Sequence, residues 1–107
     1  MARYVKIAAV QFASRIDREA PEAYDTVVGE TRDTLDSLKG YGLDLVVFCE
    51  GVEATAQRPD QAEAADEPGP LLRAYAEFAQ TEGCHVAGSI KLREGDGVHN
   101  SIAFVGP

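Results

Sequence analysis

The sequence predicts an α/β fold with the element order β-α-β-loop-α-β-β, and three observations support it. The first is the run Leu45-Val46-Val47-Phe48-Cys49, five apolar residues that lead directly into Glu50 and Gly51; such a run is typical of a strand buried on both faces. The second is an amphipathic helical pattern between this strand and an earlier apolar segment, which indicates a βαβ unit. The third is a glycine-rich turn between two late strand-like segments, which predicts an antiparallel hairpin.

The first half of the chain forms the βαβ unit. Residues 4–12 are apolar and β-branched, as expected of a strand. Pro21 suits the first turn of a helix and Gly40 suits its end. The second strand covers residues 44–50, parallel to the first with a right-handed crossover. The apolar residues of the helix recur on one face: Tyr24, Val27, Val28, Leu35 and Leu38.

The second half begins with a polar loop over residues 55–70, long enough to contain a short helical turn. A second amphipathic helix begins at Pro70 and ends before Gly83. Residues 85–92 and 98–105 then form the two strands of the hairpin. Because two helices cannot cover both faces of this sheet, we expect one face to be exposed or used for pairing.

Composition limits the function classes. The chain of 107 residues is one domain or part of one, and its formal net charge is −8, from 18 acidic and 10 basic residues. This charge argues against nucleic acid and against anionic membrane surfaces as partners. No segment has the roughly 18 consecutive apolar residues of a membrane span, and the amino terminus does not have the pattern of a signal peptide. The two cysteines are therefore expected to be free thiols in a cytoplasmic protein.

Glu50 is the first candidate for chemistry. Sites in open α/β sheets form beyond the carboxyl ends of the strands, which is where Glu50 stands. Partial desolvation there raises the pKa of a carboxylate toward the range of a general base. The alternative is a solvated acid at the start of a loop.

The chain resembles the amino-terminal part of the nitrilase, or carbon–nitrogen hydrolase, superfamily. Gln11 ends the first strand as a similar glutamine does in the family, and Glu50 matches the family's catalytic glutamate. Cys49 departs from the pattern, because the family usually has proline there. The segments that carry the resemblance, besides the helix from Pro21, are residues 6–12, 44–50, 86–90, 99–101 and 103–107.

The resemblance implies a four-layer α-β-β-α sandwich, of which residues 1–107 would be the amino-terminal part of a single domain that appears truncated after its fourth strand. It implies hydrolysis of a non-peptide carbon–nitrogen bond, with an amide favoured over a nitrile, by a Glu-Lys-Cys triad. Glu50 would be the general base, whereas Lys39, Lys91, Cys49 and Cys84 do not match the other triad positions. No metal or organic cofactor is implied. A homodimer or larger homo-oligomer is expected of the complete enzyme, and the isolated chain is expected to be inactive.

The remaining reactive residues have plainer interpretations. Cys49 invites interpretation as a nucleophile, but alternation along a strand turns it away from Glu50. Cys84 is expected to be structural, and a disulfide between the two cysteines is not expected in the cytosol. The two histidines, His85 and His99, lack metal-ligand spacing.

Two further polar regions give less specific indications of function. Asn100 fits a structural role in the hairpin and could alternatively touch the active site. The acidic stretch 60–67 is expected to be solvated, and Arg58 beside it could shape a substrate pocket.

Two other functions stay open. The chain could be a non-catalytic truncated half-domain that associates with a partner through its uncovered sheet face. A flavodoxin-like receiver or nucleotide-binding domain is compatible with the βαβ start, but the terminal hairpin and the absence of a glycine-rich first loop argue against it.

Overall fold

The computed structural model describes residues 4–11, 17, 19–49 and 56–107. Within these ranges two helices and four strands occur in the predicted order, with a 3₁₀ turn in the loop. The elements are β1 (Ile7–Val10), α1 (Ala23–Ser37), β2 (Leu45–Phe48), the 3₁₀ turn Pro59–Gln61, α2 (Pro70–Glu82), β3 (His85–Glu94) and β4 (Gly97–Val105).

The four strands form one mixed sheet whose spatial order follows the chain, β1-β2-β3-β4. β1 and β2 are parallel, with Ile7 opposite Leu45, and β2 and β3 are parallel as well. β3 and β4 are antiparallel and pair from Glu94 opposite Gly97 to Val86 opposite Val105. The βαβ unit and the hairpin are therefore confirmed, although β1 and β2 are shorter than predicted.

Helix α1 forms because its apolar residues share one face. That face is buried: Ala23, Tyr24, Val27, Val28, Thr31 and Leu35. The opposite face is exposed to solvent. On the side of α1 that faces α2, Arg32 makes an ion pair of 2.9 Å with Glu77. Exposed pairs of this kind contribute little stability, so the burial of the apolar face holds α1 in place.

Helix α2 begins and ends at the predicted residues. Pro70 occupies the first turn, where its missing N–H costs nothing. Gly83 ends the helix with a left-handed backbone of φ 64°, a conformation that glycine adopts without penalty. Leu72 is half-buried. The buried residues of α2 are Leu71, Ala74, Tyr75, Phe78 and Ala79.

Both helices pack on the same face of the sheet. The main core joins α1 and α2 to Val46 and Phe48 of β2 and to Val86 and Ile90 of β3. The other face carries exposed apolar side chains, among them Ile7, Ile102 and Phe104, which are 57%, 53% and 68% exposed. The expectation of one uncovered face holds for the part of the chain that the structure describes.

The loop before α2 does more than connect two elements. β3 extends beyond the last residue of β2, and the loop pairs with this extension of β3. Glu63 forms a parallel bridge with Leu92, its N–H donating to the Lys91 carbonyl at 3.0 Å and its carbonyl accepting from the Arg93 N–H at 2.8 Å. No helix in the described ranges is long and apolar enough to cross a bilayer.

Candidate functional site at the carboxyl edge of the parallel strands

The carboxyl ends of the parallel strands β1 and β2 lie side by side. The N–H of Cys49, the first residue after β2, donates to the carbonyl of Val10 at the end of β1, at 3.0 Å. Glu50, the predicted general base, is the next residue but lies outside the described residues. The described residues on either side of the segment 50–55 are Cys49 and Ala56.

Buried residues of α2 and β3 support the end of β2 from the side of the sheet that the helices cover. The ring of Phe48 packs against that of Tyr75 on α2, with centroids 5.4 Å apart and planes inclined at 45°. The Tyr75 hydroxyl donates to the carbonyl of Ser89 at 2.9 Å. Gly88 leaves the space for this ring, because a Cβ on it would lie 2.3 Å from Tyr75 Cζ. The strand that leads to Glu50 therefore rests on a closely packed layer.

Ala56 and Gln57, the first described residues after Cys49, are 3% and 2% exposed. The Gln57 amide accepts from the Lys91 N–H at 2.7 Å and donates to the Lys91 carbonyl at 3.3 Å. The Lys91 ammonium in turn donates to the Gln57 carbonyl at 2.9 Å. Sequence reasoning missed this pairing, because its partners lie 34 residues apart.

The two cysteines are both free, as predicted. Cys84 is 1% exposed, and burial, followed by the charges of Glu82 and Asp44, raises the pKa of its thiol. A thiol kept protonated is a poor nucleophile, which supports the structural interpretation of Cys84. Cys49 is half-buried beside the candidate site.

The predicted minor candidates lie on the hairpin strands β3 and β4. His85 is exposed and stacks on Phe104, with ring centroids 5.1 Å apart. His99 and Asn100 are exposed on β4, with Asn100 opposite Lys91. In the described part of the chain, no group of three histidine, cysteine or carboxylate side chains could hold a metal ion.

Arg58 lies in the turn that precedes the 3₁₀ segment of the loop. Its side chain is exposed and pairs with Asp60 at 3.3 Å, and its N–H donates to the Gln61 side chain at 3.0 Å. These contacts close the short turn Pro59–Gln61. They give Arg58 a local structural role, and its contribution to a substrate pocket stays a prediction.

Glu63 corrects the expectation that the whole acidic stretch 60–67 is solvated. It is only 5% exposed. Its carboxylate accepts hydrogen bonds from the Leu71 N–H at 2.9 Å, the Leu72 N–H at 3.0 Å and the Tyr24 hydroxyl. A carboxylate at a helix start satisfies N–H groups that have no partner within the helix.

A signal for this role was present in the sequence. The residue that precedes α2 is Gly69, which has no side chain with which to cap the helix, so its first N–H groups need an acceptor from elsewhere. Gly69 also admits the acceptor, because a Cβ there would lie 2.7 Å from Glu63 Cδ. What the sequence did not show is which of the nearby acids would fill the position.

Comparison with known proteins gives a similarity among solved structures. No protein-family model and no curated protein matches the chain. Among solved structures, a CN-hydrolase superfamily protein from Xanthomonas campestris, which carries an arsenic adduct in its active site, superimposes with a TM-score of 0.68 and 27% identity over 96% of this chain. The chain is related to the carbon–nitrogen hydrolase superfamily. It covers 37% of the length of that carbon–nitrogen hydrolase.

The relation to carbon–nitrogen hydrolases confirms the resemblance that the sequence motifs indicated. The mixed sheet of four strands with two helices agrees with part of a carbon–nitrogen hydrolase fold.

Proposed function

We propose that the protein hydrolyses a non-peptide carbon–nitrogen bond, with an amide as substrate in preference to a nitrile. The observation that carries the proposal is the similarity to the Xanthomonas CN-hydrolase superfamily protein over 96% of this chain. The end of β2 also supports the proposal. Glu50 is the second residue after β2 in the sequence, and the residue between them, Cys49, donates its N–H to the carbonyl of Val10 on β1.

In this proposal Glu50 is the base of a Glu-Lys-Cys triad. It accepts the thiol proton of a cysteine, and the resulting thiolate attacks the amide carbon. The carbon–nitrogen bond breaks, the amine leaves with a proton, and the thioester that remains is hydrolysed by a water that Glu50 deprotonates. The triad lysine stabilises the negative charge that develops on the amide oxygen.

We further propose that residues 1–107 are the amino-terminal part of one domain of a cytoplasmic enzyme, with a four-layer α-β-β-α sandwich. The exposed sheet face, with Ile7, Ile102 and Phe104, supports a second sheet packed against it. A groove of about 480 Å³ between α2 and the hairpin, bordered by Leu72 and Val105, is also open to further chain. The complete enzyme is proposed to be a homodimer or larger.

The test is Glu50→Gln in the protein expressed whole from its gene, assayed against a panel of simple amides and nitriles. We expect a loss of turnover of about a thousandfold, because proton transfer is needed in both half-reactions, with an unchanged unfolding midpoint. Glu53→Gln is the matched control, three residues further on, and should retain activity. Full turnover by Glu50→Gln would refute the role of the residue.

The uncovered sheet face favours a second candidate, a non-catalytic half-domain that associates with a partner through this face. The intact mass of the native gene product separates the two proposals. A mass more than twice the 11.5 kDa of this chain supports a complete hydrolase, whereas a mass equal to it supports the association module.

A further inference from the structure

The last strand, β4, lies at one end of the sheet in the described part of the chain and pairs with β3 only. Edge strands of soluble proteins usually carry a charged residue, a proline or a bulge that prevents pairing with another strand. The nine residues of β4 include no aspartate, glutamate, lysine, arginine or proline, and the register with β3 is continuous. The outer edge of β4 is therefore suited to a further strand.

The hydrogen bonds of β3 show which groups of β4 point to this outer edge. Lys91 and Arg93 donate their N–H groups to the loop on the far side of β3. Their partners on β4 are Asn100 and Val98. In an antiparallel ladder, the residues of such a pair direct their N–H and carbonyl groups away from each other, and this alternates along the strand. The residues of β4 with outward groups are therefore Val98, Asn100, Ile102 and Phe104.

This set of outward groups is complementary to a second copy of itself. When two β4 strands run antiparallel with Asn100 opposite Ile102, Val98 lies opposite Phe104. All four outward residues then meet outward residues, and no other register pairs all four. Ser101 lies opposite Ser101 of the second copy, at the two-fold axis. The pair of Phe104 with a β-branched side chain is a favourable cross-strand combination.

Charge complementarity supports the same register. Arg73 of α2 borders the groove beside Val105 and Gly106, at the carboxyl end of β4. Glu94 lies at the other end of the hairpin, and neither charge makes an ion pair with a described residue. Because the register places Gly97 of one copy opposite Val105 of the other, the acid of each copy approaches the guanidinium of its neighbour. These attractions oppose the repulsion between two chains of net charge −8.

We propose that a second copy of the chain pairs with the outer edge of β4, antiparallel and in this register. The two sheets of four described strands then form one continuous sheet, and the two-fold symmetry makes each contact occur twice. This inference rests on the homodimer expected in the proposed function, for which it supplies the surface, and not on the hydrolysis. The contact lies on the edge of the sheet and leaves the exposed face free for a second sheet.

The experiment measures the dissociation constant of the protein expressed whole from its gene by sedimentation equilibrium. Ser101→Lys and Ser101→Glu are examined separately and as an equimolar mixture, because each places like charges opposite each other at the axis. His99→Lys is the matched control, exposed on the same strand and on the same side of the sheet. Arg73→Glu, alone and with Glu94→Arg, changes exposed positions outside β4. It tests the contact even where a substitution in β4 prevents folding.

We expect the wild type to form a dimer. Ser101→Lys and Ser101→Glu should each raise the dissociation constant at least about tenfold, and their mixture should associate as tightly as the wild type or more tightly. His99→Lys should match the wild type, because Ala103 of the second copy lies opposite it. Arg73→Glu should raise the dissociation constant about tenfold, and the added Glu94→Arg should restore it to within about threefold.

A wild type that is monomeric at every concentration would overturn the inference, whether further chain covers the β4 edge or leaves it open. A dimer whose dissociation constant neither the Ser101 variants nor Arg73→Glu change would overturn it as well. The mass measurement requires no substrate. A monomer that hydrolyses amides would therefore contradict this inference alone, whereas full activity of Glu50→Gln with an intact dimer would contradict the proposed catalytic role alone.

Discussion

The hydroxyl of Tyr24 on α1 donates a hydrogen bond to the carboxylate of Glu63, which lies 39 residues later in the chain. The same carboxylate caps the first N–H groups of α2 at Leu71 and Leu72. One buried acid therefore connects two helices with the loop that runs beside β3. Buried carboxylates are stable only when such partners replace water.

Glu63→Gln should lower the free energy of unfolding by about 1–3 kcal/mol, because an amide keeps the size of the side chain but loses its charge and one acceptor. Urea unfolding of the variant measures this. Glu67→Gln in the same loop is the control, since Glu67 is exposed, and should change stability by less than about 0.5 kcal/mol. Equal effects of the two substitutions would contradict the capping role.

Tyr24 should make the free energy of unfolding decrease at alkaline pH. Burial, followed by the hydrogen bond to Glu63 and the charge of Glu63, raises the pKa of the Tyr24 hydroxyl above its ordinary value of 10.0. Above that pH the unfolded chain loses this proton while the folded chain keeps it. The contribution of Tyr24 is therefore fully present below about pH 10 and is lost progressively as the pH rises further.

The measurement is urea unfolding of the wild type and of Tyr24→Phe at about pH 8 and about pH 10.5. The wild type should lose more stability between the two pH values than the variant does. The raised pKa of Cys84 acts in the same direction but is common to both proteins. Parallel losses would show that Tyr24 ionises equally in the folded and unfolded chains.

Thr31 should be replaceable by valine with a gain in stability. It is fully buried in α1, and its hydroxyl has no hydrogen-bond partner within the described part of the chain. Valine has nearly the same shape and a similar helix propensity, so Thr31→Val should raise the free energy of unfolding by about 1 kcal/mol. Thr26→Val, at an exposed position of the same helix, should be neutral. A loss of stability in Thr31→Val would indicate that the hydroxyl has an acceptor.

Gly88→Ala and Gly29→Ala should have opposite effects. A Cβ on Gly88 would lie 2.3 Å from Tyr75 Cζ, within a buried ring whose hydroxyl is bonded to Ser89, so we expect a loss of about 3 kcal/mol. A Cβ on Gly29 of α1 meets nothing within 4 Å and should add about 0.5–1 kcal/mol through helix propensity. Thermal unfolding compares both with the wild type, and a stable Gly88→Ala would show that Tyr75 can move.

Local sequence patterns predicted the element types well. Pro70 and Gly83 defined α2 because capping depends on residues close together in the sequence, and the turn at Gly95 defined the hairpin for the same reason. Strand ends were less accurate. Residues 4–6 look like strand but lie before the first sheet pair, which joins Ile7 to Leu45, and the sequence alone does not specify that register.

The candidate site was predictable only in part. The apolar run before Glu50 indicated where the parallel strands end, because strand burial leaves a local signature. The roles of Gln57 and Glu63 left none, since each depends on partners more than thirty residues away in the chain: 34 for Lys91 and 39 for Tyr24. Both residues look like ordinary polar loop positions until the tertiary fold brings those partners to them.

The sheet order β1-β2-β3-β4 also has a consequence for biosynthesis. Among the described residues, the hairpin pairs nine residues of β3 with their neighbours on β4, whereas the parallel contacts of β1 with β2 and of β2 with β3 comprise four and three pairs. Hairpins close short loops, and parallel pairing must close long ones. The strands that leave the ribosome first therefore depend for their stability on those that leave later. We expect the sheet to form from the carboxy-terminal hairpin toward β1, opposite to the direction of translation.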